Sequence, residues 1–192
     1  MEFITTPIPD LLIIQPKIFE DDRGYFYESY SKIAFENYGI FADFVQDNQS
    51  LSGKGVLRGL HFQNPPFAQG KLVRAIKGAI LDVAVDLRKT SETYGKYFDI
   101  ELNEKNKKML WIPPGFAHGF LTLSNETIFS YKCSNVYNKD SEKSIIWNDP
   151  TIGINWGLTD PILSEKDKKS NTFKDFQSMF WILKLIEKKY TS

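Results

Sequence analysis

From Lys71 to Cys133 the chain is a succession of short apolar runs separated by tight polar turns. This pattern restricts the possible folds more than any other feature of the sequence. Its clearest stretch is residues 79–88. Leu81, Val83, Val85 and Leu87 fall on one side, and Asp82, Ala84, Asp86 and Arg88 on the other. A period of two is that of a β-strand with different environments on its two faces, not that of a helix. Residues 71–76 form a preceding strand across the turn Lys77-Gly78. Residues 97–102 and 108–112 repeat the arrangement around the polar turn 103–107. Residues 119–123 and 127–133 read as a further hairpin around Ser124-Asn125. Upstream, residues 12–14 and the aromatic run 24–30 read as strands, and residues 31–38 as a short helix stopped by Gly39. Residues 41–46 read as another strand, with 46–50 as its polar exit. Many short strands at regular spacing indicate a sandwich or barrel and not parallel β/α units. At the C-terminal end, Phe176, Met179, Phe180, Leu183 and Ile186 recur at helical spacing, which predicts an amphipathic helix over residues 173–189. No repeat or linker interrupts the pattern, so one domain over residues 1–192 is expected.

Composition narrows the function classes. Lys plus Arg and Asp plus Glu are 24 each, giving a formal net charge of +0. That balance argues against charge-driven binding to nucleic acid or to an anionic membrane. No stretch approaches the roughly 18 apolar residues of a membrane span. The one cysteine, Cys133, cannot form an intrachain disulfide, which suits a reducing, cytoplasmic compartment.

The chain has two histidines, each in an unusual setting. His61 lies in Val56-Leu57-Arg58-Gly59-Leu60-His61-Phe62-Gln63, and His118 follows the rigid Ile112-Pro113-Pro114-Gly115-Phe116-Ala117. A histidine in an apolar run is more often a hydrogen-bonded core residue than a functional one. With no HxH, HExxH or CxxC spacing, a metal site is poorly supported, leaving acid/base or anion-contacting roles. Arg23, Arg58, Lys71 and Arg74 are local basic residues in a neutral chain. Lys71 and Arg74 are an odd number apart, so a regular strand sends them to opposite faces. Lys71, beside Gly70, is the better candidate to share a cavity with His61. Tyr131 and Tyr137 bracket Cys133 and are either strand aromatics or a proton donor and a base-stacking platform.

Taken in order, Asp22-Arg23-Gly24-Tyr25-Phe26-Tyr27-Glu28, Phe44-Val45-Gln46-Asp47-Asn48, the His61 segment, Gln69-Gly70-Lys71-Leu72-Val73-Arg74, the His118 segment through Phe120, Trp147-Asn148-Asp149-Pro150 and Leu163-Ser164-Glu165-Lys166-Asp167 resemble the dTDP-4-dehydrorhamnose 3,5-epimerase family. The resemblance runs from about residue 3 to 168. It implies an all-β, cupin-type jelly roll acting as a homodimer, without metal or organic cofactor. It also implies inversion of C3 and C5 of dTDP-4-dehydro-6-deoxy-D-glucose, giving dTDP-4-dehydro-L-rhamnose for dTDP-L-rhamnose synthesis.

The C4 ketone of such a sugar acidifies the protons on C3 and C5, because either carbanion delocalises onto the C4 oxygen. Carried over by resemblance, His61 is the base, Asp167 its carboxylate partner, Tyr131 the acid on the far face and Lys71 the cation beside the enolate oxygen. Imidazole changes charge near neutral pH, which suits a base, and an ammonium in a water-poor site acts on charge developing in the transition state. Arg23 and Arg58, with His118 nearby, would neutralise the diphosphate. Phe26, Glu28, Gln46, Asp47 and Asn48 would contact the nucleoside and sugar, Tyr137 would stack on thymine, and Glu142 and Lys166 would line the site. The alternatives are a monofunctional 3- or 5-epimerase or a 3,4-ketoisomerase of another nucleotide sugar, a non-catalytic sugar-nucleotide-binding module and, last, a metal-dependent oxygenase.

Overall fold

The computed structural model describes residues 1–181. Among them the chain forms strands β1 (Glu2–Thr5), β2 (Leu12–Gln15), β3 (Phe19–Asp21) and β4 (Gly24–Phe26), then helix α1 (Lys32–Asn37). Strands β5 (Gln46–Ser52), β6 (Leu57–Gln63), β7 (Lys71–Lys77), β8 (Ala79–Asp86), β9 (Tyr97–Asn103), β10 (Met109–Ile112), β11 (Phe116–Thr122), β12 (Thr127–Cys133) and β13 (Glu142–Ser144) follow, and helix α2 (Glu165–Lys168) comes last. A six-stranded sheet has the order β1-β2-β10-β7-β12-β5, a five-stranded sheet the order β13-β6-β11-β8-β9, and β3 and β4 pair alone. From β5 to β13 every connection crosses between the two large sheets except that from β8 to β9. This crossing pattern makes a jelly roll of the cupin type.

The strands lie where the period-two pattern predicts them, but the three expected strand pairs are not hairpins. β7 pairs with β10 and β12, whereas β8 pairs with β11 and β9. Likewise β9 and β10, and β11 and β12, belong to different sheets. A short turn serves a hairpin or a corner between layers equally well, and here burial on both strand faces selects the corner. Gly78 (φ +76°) turns one such corner, and a Cβ there would come within 2.5 Å of Ser124 Oγ on the neighbouring corner.

Both faces of β8 are therefore buried. Ile80 and Ala84 join Val73, Ala75, Leu110, Phe116, Phe120 and Phe129 between the two sheets. Val83, Val85 and Leu87 join Leu57, Leu60, Phe62, Ala117 and Trp156 on the outer side of the five-stranded sheet. A third cluster on the six-stranded sheet takes Leu72, Met109 and Trp111 against Phe35 of α1. That helix forms as expected, with the Ser31 hydroxyl accepting from the amide of Ala34 at 3.4 Å.

Two further expectations are corrected. Residues 41–45 are irregular, and Phe44 packs edge-on against Tyr30, Phe35 and Trp111. The strand begins instead at Gln46, where a polar exit was expected. β5 is an edge strand paired only with β12, so its side chains alternate between half-buried Gln46, Asn48 and Ser50 and exposed Asp47, Gln49 and Leu51.

The helix expected over 173–189 is absent from its described part. Residues 173–181 form a turn and an extended segment, and Lys89 donates a backbone hydrogen bond to Phe180 at 3.0 Å. Phe176 and Phe180 insert their rings against Phe62 with centroids 5.1 and 6.0 Å apart. An extended segment gains these contacts together with backbone pairing, while Met179 of the expected apolar face remains exposed. The stretch 182–189 lies outside the described residues. No helix among the described residues is long and apolar enough to cross a membrane.

Candidate active site

One end of the jelly roll opens into a cavity of about 800 Å³ between the two sheets. The five-stranded sheet supplies Arg58, His61 and Gln63 from β6, His118 and Phe120 from β11, and Glu142 from β13. Facing them from the six-stranded sheet are Lys71 on β7, Phe129 and Tyr131 on β12, and Gln46 and Asn48 on β5. Asp167 enters from α2. Lys71 therefore shares the cavity with His61. Arg74 points away and donates to the Tyr27 hydroxyl at 3.4 Å, as the odd spacing predicts.

A local irregularity is needed to bring Arg58 and His61 together, since residues three apart on a regular strand face opposite ways. Opposite β11 the register changes. His61 pairs with His118 but Arg58 pairs with Phe120, so β6 carries one extra residue against its partner. This bulge restores Arg58 to the cavity face. Gly59, within it, has φ +127°, and a Cβ there would meet Gly119 Cα at 2.5 Å and the His118 carbonyl at 2.8 Å. Only glycine fits such a conformation and so close an approach of backbones.

Two histidines line the cavity, each paired with a carboxylate. His61 Nε2 lies 2.5 Å from Asp167 Oδ1, and the His61 side chain is 29% exposed. The other carboxylate oxygen, Asp167 Oδ2, accepts from the Ser164 hydroxyl at 2.8 Å, and the Asp167 amide donates back to Ser164 Oγ at 3.1 Å. Burial pulls the Asp167 carboxyl upward. The hydrogen bond and charge of His61, the Ser164 hydroxyl and the Lys166 cation outweigh it, so the group titrates below its ordinary value. His118 Nε2 lies 2.9 Å from Asp82 Oδ2, with both side chains buried. Desolvation pushes the His118 imidazole below its ordinary value despite the Asp82 charge.

Lys71 is buried at the cavity floor, and its ammonium lies 3.4 Å from the His61 carbonyl oxygen. Desolvation lowers its pKa, opposed by the charges of Cys133, Asp82 and Glu142. Tyr131 is pushed up, mainly by burial, so its phenol keeps its proton. At the rim the Tyr137 hydroxyl donates to Glu142 Oε2 at 2.9 Å, and Lys166 Nζ lies 2.5 Å from Glu142 Oε1. Gln46 Oε1 accepts from the Tyr137 amide at 2.9 Å, and its Nε2 donates to Asn48 at 3.1 Å.

Four expected site residues lie away from the cavity of their own chain. Arg23, Phe26 and Glu28 are exposed on or beside the β3–β4 hairpin, where Arg23 pairs with Asp21. Asp47 alternates outward on β5 and pairs with Lys132 at 3.0 Å. Sequence reasoning also missed functional neighbours. Asp82 could have been found as an aspartate interrupting the apolar run from Ala79 to Val85, since a buried carboxylate needs a partner. Ser164 could have been found as the first residue of Ser164-Glu165-Lys166-Asp167, a helix-capping pattern. Gln63 had no such signal. Its amide donates to the carbonyls of Phe67 and Val136 at 2.7 and 3.1 Å and ties two rim loops together. Among the described residues no group of three His, Cys, Asp or Glu could hold a metal ion.

The sequence profile of the family described as dTDP-4-dehydrorhamnose 3,5-epimerase matches residues 5–175. The chain belongs to the dTDP-4-dehydrorhamnose 3,5-epimerase family. The family member from Shigella flexneri is 52% identical over 176 residues, covering 91% of this chain and 97% of that protein. The crystal structure of the family member from Elizabethkingia anophelis NUHP1 superposes with a TM-score of 0.88 at 51% identity, covering 91% of this chain and 97% of that one. A dTDP-6-deoxy-D-glucose-3,5-epimerase from Legionella pneumophila Philadelphia 1, solved with dTDP-4-keto-L-rhamnose, also gives 0.88, at 46% identity over 92% and 94% of the two chains.

Proposed function

We propose that this protein is a dTDP-4-dehydrorhamnose 3,5-epimerase, converting dTDP-4-dehydro-6-deoxy-D-glucose to dTDP-4-dehydro-L-rhamnose within one catalytic domain. The observation that carries this reading is that His61 and Tyr131 come from opposite sheets yet line one cavity, with buried Lys71 on its floor. Inversion at carbon needs a base on one side of the ring and an acid on the other. His61 takes the proton from C3 or C5, and the electron pair moves onto the C4 oxygen. Asp167 then stabilises the imidazolium that forms. Groups of this kind contribute about 10²–10⁴-fold each. Tyr131, still protonated, delivers a proton to the opposite face; between inversions the His61 imidazolium releases its proton to solvent and the Tyr131 phenolate takes one up.

Burial opposes the charge of the Lys71 ammonium. Negative charge on the C4 oxygen relieves that opposition, so the interaction strengthens as the enolate forms. Stabilisation that grows towards the transition state is what lowers the barrier. Arg58, at the mouth beside Ser52, binds the diphosphate. Tyr137 stacks on the base once it leaves Glu142, and Gln46 and Asn48 hold sugar and nucleoside hydroxyls. Arg23, Phe26 and Glu28 would serve the same ligand from a second copy. The exposed Phe19, Tyr25 and Phe26 of the β3–β4 hairpin support a homodimer in which this hairpin reaches a neighbouring cavity, which sedimentation at working concentration checks. Turnover of the 4-keto sugar in D₂O tests the activity: the reading requires deuterium at both C3 and C5 with L-rhamno product, and label at one carbon alone would leave a monofunctional epimerase.

A further inference from the structure

Asp167 reaches the cavity from a helix of only four residues, Glu165–Lys168. The segment before it is anchored by backbone pairing: Ile162 donates to the Gly55 carbonyl at 2.8 Å, and Leu57 donates to the Ile162 carbonyl at 3.0 Å. That pairing sets where the loop runs but leaves the carboxylate free to rotate. The rotation is restrained by Ser164, whose hydroxyl donates to Asp167 Oδ2 at 2.8 Å while accepting from the Asp167 amide at 3.1 Å. The second oxygen, Oδ1, is then aimed at His61 Nε2 at 2.5 Å. Each partner of this chain of contacts comes from a different element: His61 from β6, Asp167 from α2 and Ser164 from the turn before α2.

We infer that Ser164 is a positioning residue of the epimerisation, acting through Asp167 to fix the plane of the His61 ring. The inference rests on the reading of His61 as the base and Asp167 as its partner. A carboxylate held at both oxygens keeps one orientation, and the imidazole bonded to it presents its opposite ring nitrogen in one direction. Without the hydroxyl, Asp167 gains rotational freedom and the base spends less time in a reactive pose. Misplacements of about 1 Å cost up to roughly 10²-fold in rate. The charged groups facing Asp167 are His61 and Lys166, and Lys166 is itself shared with Glu142 of β13. Loss of the serine donor makes the carboxylate more basic and strengthens its hold on a protonated His61.

Three variants separate positioning from helix capping. Ser164→Ala removes both the hydroxyl and a good cap. Ser164→Gly removes the hydroxyl but leaves a residue that caps helices nearly as well. Ser164→Thr keeps both. Positioning predicts that Ala and Gly lower kcat about 10- to 100-fold, leave KM for the nucleotide sugar near that of the parent, and move the acid limb of the kcat profile to higher pH. Gly keeps the thermal midpoint, and Thr restores kcat. Ala and Gly variants with parental kcat and an unmoved profile would overturn the inference, as would a rise in KM alone, which would make Ser164 a substrate contact. His61→Ala and Asp167→Asn measured alongside keep the two readings apart. If these lose turnover while Ser164→Gly does not, only the role of Ser164 fails. If these retain turnover, the underlying base assignment fails.

Discussion

His61 and His118 sit directly opposite each other on neighbouring strands, each with a carboxylate at its Nε2, yet the two pairs are built for different work. The His118–Asp82 pair is set wholly within the five-stranded sheet and is buried, at 6% and 0% side-chain exposure. The His61–Asp167 pair joins that sheet to a short helix, and its imidazole is 29% exposed. Asp82 keeps one oxygen, Oδ1, buried and without a hydrogen-bond partner, whereas both oxygens of Asp167 are engaged. The same two residue types thus give one imidazole that the cavity can reach, paired with a carboxylate from a short helix, and one buried within the sheet. Access and the origin of the carboxylate make the difference, not the pairing itself.

The largest effect should separate the two histidines. His61→Ala is expected to lower kcat by at least about 10³-fold, within the range of general base catalysis, and to leave dTDP affinity unchanged by calorimetry. His118→Asn should lower it far less. Equal losses from the two substitutions would erase the distinction. Stability should respond in the opposite sense. Asp82→Ala leaves a buried imidazole without its partner and should cost about 1–3 kcal/mol in denaturant unfolding, while Asp167→Asn, at the cavity edge, costs less.

A smaller effect concerns acid. The His118 pKa is lowered on folding, chiefly by desolvation, so as pH falls through the ordinary imidazole range the unfolded chain binds the extra proton and stability decreases. Asp167 is also lowered. Its contribution is present above the ordinary carboxylate range and is lost as pH falls through its depressed folded value. The thermal midpoint should therefore drop between neutrality and pH 5, mainly through His118, and His118→Gln should flatten that drop. A slope unaffected by this change would remove His118 as its source.

Much of the fold was legible because a period of two marks strands, as Leu81, Val83, Val85 and Leu87 do within residues 79–88. The partners of those strands were not legible, since Lys77-Gly78 has the length of a hairpin turn whether or not the chain changes sheet. Nor did the sequence reveal the bulge at Gly59, although Arg58 and His61 share a cavity only because of it. Residues 46–50 look like the polar exit of a strand because an edge strand lining a polar cavity has no apolar alternation to show. Phe176 and Phe180 mimic a helical stripe, yet they are ring contacts made by an extended chain. At the site, Lys71 was separable from Arg74 by parity alone. The placement of Asp167 beside His61, 106 residues away, came from family resemblance and could not have come from spacing.

Opposed protonation from the two walls of the cavity is tested most directly by Tyr131→Phe with the 4-keto sugar in D₂O, followed by NMR. With His61 intact and the far-face acid removed, deuterium should enter at C3 or C5 with retained configuration, and little or no inverted sugar should form. Inverted product at the parental rate would contradict the assignment of Tyr131 as the acid, and with it the division of labour between the two sheets.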